Sequence, residues 1–236
     1  MRRRWQTIWC AVLLGGACAT PARPTVSEQQ LTRIPAAERK TLIEGETDVR
    51  VAQSNQAAAN TALRDARQFR DIVKREVDAA TSRVGAARSG VELGQKAGDD
   101  SLSVEARREL RLGEAQLRTA RAKRTYADGL VALRESQVAR WRAEVDAARA
   151  RQELAEHDAL QRHGKGQQAD RGRFVDAMQS TRARADVARR EVAKQKAEME
   201  AARSSWYARR DELDSVRAEV RRGNMRPPPA PTPVPE

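Results

Sequence analysis

At 236 residues the chain has room for one or two ordinary domains, but with 39% hydrophobic, 3% aromatic and 33% charged residues it lacks the large apolar side chains of a broad globular core. Its 45 Lys and Arg against 33 Asp and Glu give a net charge of +12, yet only seven of the basic residues are Lys and the two signs alternate along the chain. Alternating charge of this kind describes solvated helix faces, and period-two runs of Val, Ile, Thr and aromatics that would make strands are absent.

The first residues have the form of an export signal. Arg2, Arg3 and Arg4 supply the positive start, and Trp5 to Leu14 is largely apolar but far shorter than the roughly 20 residues of a spanning helix. Leu14-Gly15-Gly16-Ala17-Cys18 follows, and it resembles the lipobox of bacterial lipoproteins, in which small residues precede a lipidated Cys. That family usually places Leu three residues before the Cys; here Gly15 holds that place and Leu14 stands one step further out. The resemblance implies a signal peptide over residues 1–17, acylation (palmitate among the chains) at Cys18, and, because Ala19 is not Asp, an outer-membrane lipoprotein facing the periplasm. Ala17-Cys18-Ala19 is also an A-x-A site for ordinary signal peptidase, with cleavage before Thr20 and a soluble periplasmic product. Cys10 leaves with the signal on either route, so no disulfide forms within the mature chain.

Residues 18–34 read as a tether, carrying Pro21 and Pro24, and Pro35 suits the first position of a helix. Residues 35–222 form one α-helical coiled-coil domain. Helix one is predicted over about 35–96, with a bulky series Leu42, Val49, Gln56, Leu63, Arg70, Val77, Val84, Val91 and a small series Gly45, Ala52, Ala59, Ala66, Val73, Ala80, Ala87, Gly94. Both series repeat every seven residues and share one helix face. Gly94 to Asp100 breaks the pattern, with Ser101 or Ser103 expected to cap helix two over about 103–162. That helix carries Leu110, Leu117, Arg124, Val131, Val138, Val145, Gln152 and Ala159, beside Ala106, Gly113, Ala120, Ala127, Arg134, Trp141, Ala148 and Ala155. His163 to Gly172 is glycine-rich and breaks the chain again.

Helix three, over about 173–222, has the most regular seam: Met178, Ala185, Val192, Met199, Trp206, Leu213 and Val220 at strict sevens, with Gly223 placed as its C-terminal cap. Residues 223–236 form a Pro-rich tail in which Pro227, Pro228, Pro229, Pro231, Pro233 and Pro235 are the candidate interaction residues, since preformed polyproline II docks at low entropic cost.

Two short connections force three long antiparallel rods, either as an up-down-up bundle or as a hairpin with a third helix added. Folding the chain about residues 98 and 167 levels Trp141 with Ala59 and Trp206 with Ala127, large against small. It also levels Arg124 with Arg209 at the seam, where both guanidinium groups must reach carboxylates, with Glu76 and Asp211 as candidates, or else extend into water.

No phosphate loop, G-x-S-x-G, H-E-x-x-H or EF-hand pattern is present, so no catalytic residue, cofactor or metal is expected and the chain does not read as an enzyme. Glu153 and His157, four apart, read as an exposed pair on one helix face. Nucleic acid is excluded as a partner by export and by the lack of an aromatic stacking platform. The expected partners are the membrane, through the N-terminal lipid, envelope proteins or anionic envelope polymers, and further copies through the coiled coil. The function expected is a spacer, tether or assembly adaptor in the cell envelope. In composition the chain also resembles the Skp family of periplasmic chaperones, exported, basic and built on long hairpins, which implies a holdase; its hairpins resemble the arms of secretion and efflux adaptors too.

Overall fold

A computed structural model describes residue 35, residues 39–163 and residues 170–224. The described residues form an all-α, three-helix antiparallel bundle without strands: α1 (Arg39–Ala97), α2 (Asp100–Arg162) and α3 (Arg171–Asn224). At 1.5 Å per residue their 59, 63 and 54 residues extend about 90, 95 and 80 Å. Helices of this length made of Ala, Arg, Glu and Gln are intrinsically favourable, but each holds its place by burying a stripe on a neighbour.

The first reversal is tighter than expected. α1 runs on through Ala97, and only Gly98 and Asp99 separate it from α2. Gly98 takes φ 67°, a left-handed conformation that costs glycine nothing. Asp99, not Ser101 or Ser103, is the N-cap: one carboxylate oxygen accepts the Ser101 and Leu102 amides, both at 3.0 Å, and the Ser101 hydroxyl at 2.8 Å. A carboxylate answers the positive end of the helix better than a hydroxyl does. Its pKa is lowered, first by the Leu102 amide and then by the Ser101 hydroxyl. α3 likewise begins earlier than expected, with the Asp170 carboxylate accepting the Gly172 amide at 2.9 Å. At its other end α3 continues through Gly223 to Asn224, so Gly223 is helical and does not cap it.

Every residue of both predicted series on α1 is buried or half-buried, and so is every residue of the predicted seam on α3. The register against α2 follows the first pivot: Val84 meets Gly113, and Gly45 meets Gln152. The second pivot lies near residue 165, two residues before the expected one, as the pairs Asp158–Arg171, Tyr126–Trp206 and Arg118–Glu212 show.

α2 buries two stripes where one was expected. The predicted seam faces α1. A second repeat, Ala115, Ala122, Gly129, Ser136, Ala143, Ala150 and His157, is nowhere exposed and faces α3; Gly129 lies against Met199 and His157 against Phe174. At 100° per residue the second stripe lies about 160–200° from the two series of the first. α1 and α3 therefore flank α2 without packing on each other, and no Cα of one comes within 8 Å of a Cα of the other. The seam arginines consequently need no buried partner. Arg124 and Arg209 are half exposed and pair with Asp128 and Glu212 on their own helices at 3.8 and 2.7 Å, while Glu76 goes to Lys123.

Candidate functional site

Because α1 and α3 stay apart, a groove of about 550 Å³ runs along α2 between them, with Gln116, Thr119, Ala120 and Lys123 contributed by α2. Ala79, Ala80 and Arg83 come from α1, and Trp206, Arg210 and Leu213 from α3. Thr119 and Ala120 keep the floor low between the longer Gln116 and Lys123, and the bulky α3 series supplies the apolar wall.

The end of the groove nearer mid-rod is closed by an aromatic group drawn from all three helices. The Tyr126 ring lies edge-on to Phe69 at 6.2 Å and stacks on Trp206 at 5.4 Å, and Trp206 stacks on Tyr207 at 5.1 Å. Lys123 bridges the same three helices: its Nζ donates to both oxygens of Glu76, at 2.8 and 2.7 Å, and lies 5.7 Å from the Phe69 ring centre and 5.9 Å from that of Trp206. An ammonium held over two ring faces gains from both quadrupoles while the carboxylate compensates its charge. Arg203 donates from Nε and Nη2 to the Tyr207 hydroxyl at 3.2 and 3.1 Å, which raises its pKa. Lower on the rod, Thr119 donates to the Arg209 carbonyl at 2.9 Å, and Glu212 accepts from Arg209 at 2.7 Å and Arg118 at 3.0 Å. Those two guanidinium groups, Arg209 first, hold the Glu212 carboxyl below its ordinary value. The groove thus combines flat apolar faces with four cationic side chains, Arg83, Lys123, Arg210 and Arg217, and two carboxylates, Glu76 and Asp214.

A second polar group lies where α1 begins, α2 ends and α3 begins. Here the sequence expectation is corrected: His157 does not lie on an exposed face but is 3% exposed, with its ring 4.6 Å from Phe174. It belongs to the stripe that faces α3, a stripe of small residues too weak to stand out. Glu156, also buried, accepts Gln152 Nε2 at 2.7 Å. Its pKa is raised, chiefly by burial, with Glu153 and Glu46 adding repulsion and Gln152 opposing. Arg171 clamps the α2–α3 junction through a bidentate pair to Asp158 at 2.8 and 3.0 Å, and this hydrogen bonding is the first cause of the lowered Asp158 pKa.

Among the described residues no three His, Cys, Asp or Glu come together to hold a metal ion, and no described helix is long and apolar enough to cross a membrane. Cys18 and the interaction candidates Pro227, Pro228, Pro229, Pro231, Pro233 and Pro235 lie outside the described residues. The aromatic group is not legible as a unit in the sequence: pivots at residues 98 and 167 level Phe69 with Ala127 and Tyr207, each one residue from the Tyr126 and Trp206 that the structure brings together. No protein-family model, curated protein or solved structure matches the chain.

Proposed function

We propose that this chain is a non-catalytic rod of the bacterial cell envelope, anchored in the outer membrane through lipid at Cys18 and acting in the periplasm as a spacer, tether or assembly adaptor. The observation that carries this reading is the position of the two ends. α1 starts beside the α2–α3 junction, whereas α3 finishes beside the α1–α2 turn, so the segments before Arg39 and after Asn224 leave opposite ends of a body about 80–95 Å long. A chain that held both segments at one end would not bridge any distance. The lipobox-like Leu14–Cys18 stretch supplies the anchor, and the proline-rich residues 227–235 supply a docking segment at the far end.

Intact mass of the membrane fraction tests the anchor: an acylated chain beginning at Cys18 is expected, and a soluble chain beginning at Thr20 overturns it. Solution scattering tests the rod, which loses its basis if the longest dimension falls well short of 80 Å. The open groove with Trp206 and Leu213 on one wall favours a second reading, a periplasmic holdase. Suppression of aggregation of an unfolded outer-membrane protein would select it, since a spacer leaves that aggregation unchanged.

A further inference from the structure

α2 is covered on two opposite faces, but α1 is covered only on one. An exposed flank of α1, which borders the groove at Ala79, nevertheless repeats the seam pattern: Val51, Ala58, Asp65, Ile72, Ala79, Ala86 and Leu93 recur at strict sevens. Its three bulky members are 55%, 51% and 62% exposed in Val51, Ile72 and Leu93, although nothing in the chain's own packing needs large aliphatic side chains there. On α3 the repeat Val187, Lys194, Ala201, Ala208 and Ser215 has a single bulky residue. The repeat on α1 is therefore not a general habit of the sequence.

The spacing of that stripe is symmetric about Ile72. Reversing the helix about this residue lays Val51 on Leu93, Ala58 on Ala86, Asp65 on Ala79 and Ile72 on itself. We propose that this exposed stripe of α1 is an isologous homodimer seam, in which α1 packs antiparallel on α1 of a second copy with the two-fold axis at Ile72. A closed two-fold interface requires a patch complementary to its own reverse, and this one is.

Charge supports the same register. Asp65, the one ionised residue in the stripe, falls opposite Ala79, with Arg75 of the facing helix one turn away. Asp48 falls opposite Lys96. Asp48, Asp65, Arg75 and Lys96 have no ion-pair partner among the described residues of their own chain. The contact from Val51 to Leu93 is about 63 Å long and about 10 Å wide on each partner, or roughly 1,200 Å² in total. That reaches the lower bound of stable, specific interfaces. The inference does not rest on the lipid anchor, because the stripe is present in a soluble and in an acylated chain alike.

The test uses the full chain with Cys10→Ser and Cys18→Ser, so that an introduced cysteine is the sole thiol. Light scattering over a concentration series is expected to give twice the 26.3 kDa chain mass, and Ile72→Glu, at a site half exposed in the protomer, is expected to weaken association at least tenfold with helicity unchanged. Ile72→Cys should oxidise to a covalent dimer, as should the double variant Val51→Cys with Leu93→Cys, whereas Val51→Cys alone should not, its two copies lying about 63 Å apart. A chain that stays monomeric at 100 µM by light scattering, a dimer indifferent to Ile72→Glu, or ready cross-linking of Val51→Cys alone would each overturn the proposal.

Discussion

Gly94 offers the sharpest test of how α1 and α2 are held. A Cβ added there would lie 2.8 Å from the Ser103 amide nitrogen, 3.0 Å from its Cα and 3.3 Å from the Leu102 carbonyl carbon. All three are backbone atoms, fixed by the Asp99 cap and the left-handed Gly98, so no side chain can swing aside. Gly94→Ala must therefore push the helices apart at the turn, at an overpacking cost of about 1–3 kcal/mol. The gain in helix propensity, at most about 1 kcal/mol and less this near a helix end, does not offset it. Gly85 supplies the internal control: it lies on the same helix, exposed, with nothing within 4 Å of an added Cβ. Gly85→Ala should stabilise by about 0.8–1 kcal/mol from propensity alone. The same chemical change thus has opposite signs at two sites nine residues apart. The two variants should differ by about 2–3 kcal/mol, roughly 5–10 °C in melting temperature at 2–4 °C per kcal/mol. Urea and thermal unfolding followed by circular dichroism at 222 nm measure this directly. If Gly94→Ala proves as stable as Gly85→Ala, the close approach of α1 to the Ser103 backbone is wrong.

Burial raises the pKa of Glu156, so its favourable neutral form is fully present below the unfolded carboxyl value and its contribution is lost as pH rises through the folded one. Glu156→Gln keeps an acceptor for Gln152 and should be more stable than the parent at pH 7 but not at pH 4, as read from urea midpoints at both. Asp158 has the opposite sign, because the Arg171 pair lowers its pKa: its contribution is present above the unfolded value and lost as pH falls through the folded one. Asp158→Asn should lower stability at pH 7 and remove that part of the acid-induced loss, which an unchanged acid titration of the variant would contradict. Trp206→Ala empties the half-buried site between Tyr126 and Tyr207 and should cost about 2 kcal/mol, whereas Trp206→Phe, which keeps a ring to stack, should cost about 1 kcal/mol or less; equal losses would show that stacking is not what holds the group.

The difference between what could be read ahead of the structure and what could not has a physical cause. α1 and α3 each bury one main stripe, and where a helix is wet on its other faces the contrast between buried and exposed positions is large enough to see at a period of seven. Thus Met178 to Val220, and Leu42 to Val91, marked the buried faces from spacing alone. α2 buries two nearly opposite stripes, and apolar residues on opposite faces cancel in any periodic signal. Its second stripe is also made of Ala, Gly and Ser, which are abundant on the wet faces as well. With that stripe unread, His157 looked exposed, and α1 and α3 had no reason to be apart. The aromatic group depends on a further quantity, the second pivot, where an error of two residues displaces the facing residue by four, about 6 Å.

The same reasoning bears on why the body is open. Three helices close around a shared axis when each carries two stripes separated by a moderate angle, so that every pair can meet. Here the angle on α2 is nearly a half turn, and the bulky residues that would let α1 reach α3 are replaced by Lys123 and Tyr126 acting as a bridge from the middle helix. Removing that bridge would not bring α1 and α3 together, because the angle that separates them is set by the small residues from Ala115 to His157. An open bundle of this kind must leave the outer flanks of its two peripheral helices uncovered. Polar residues on α3 suit water, but the evenly spaced Val51, Ile72 and Leu93 on α1 do not. Their exposure in the single chain is therefore more economically explained by a second helix, laid along α1 as α1 is laid along α2, than by solvent.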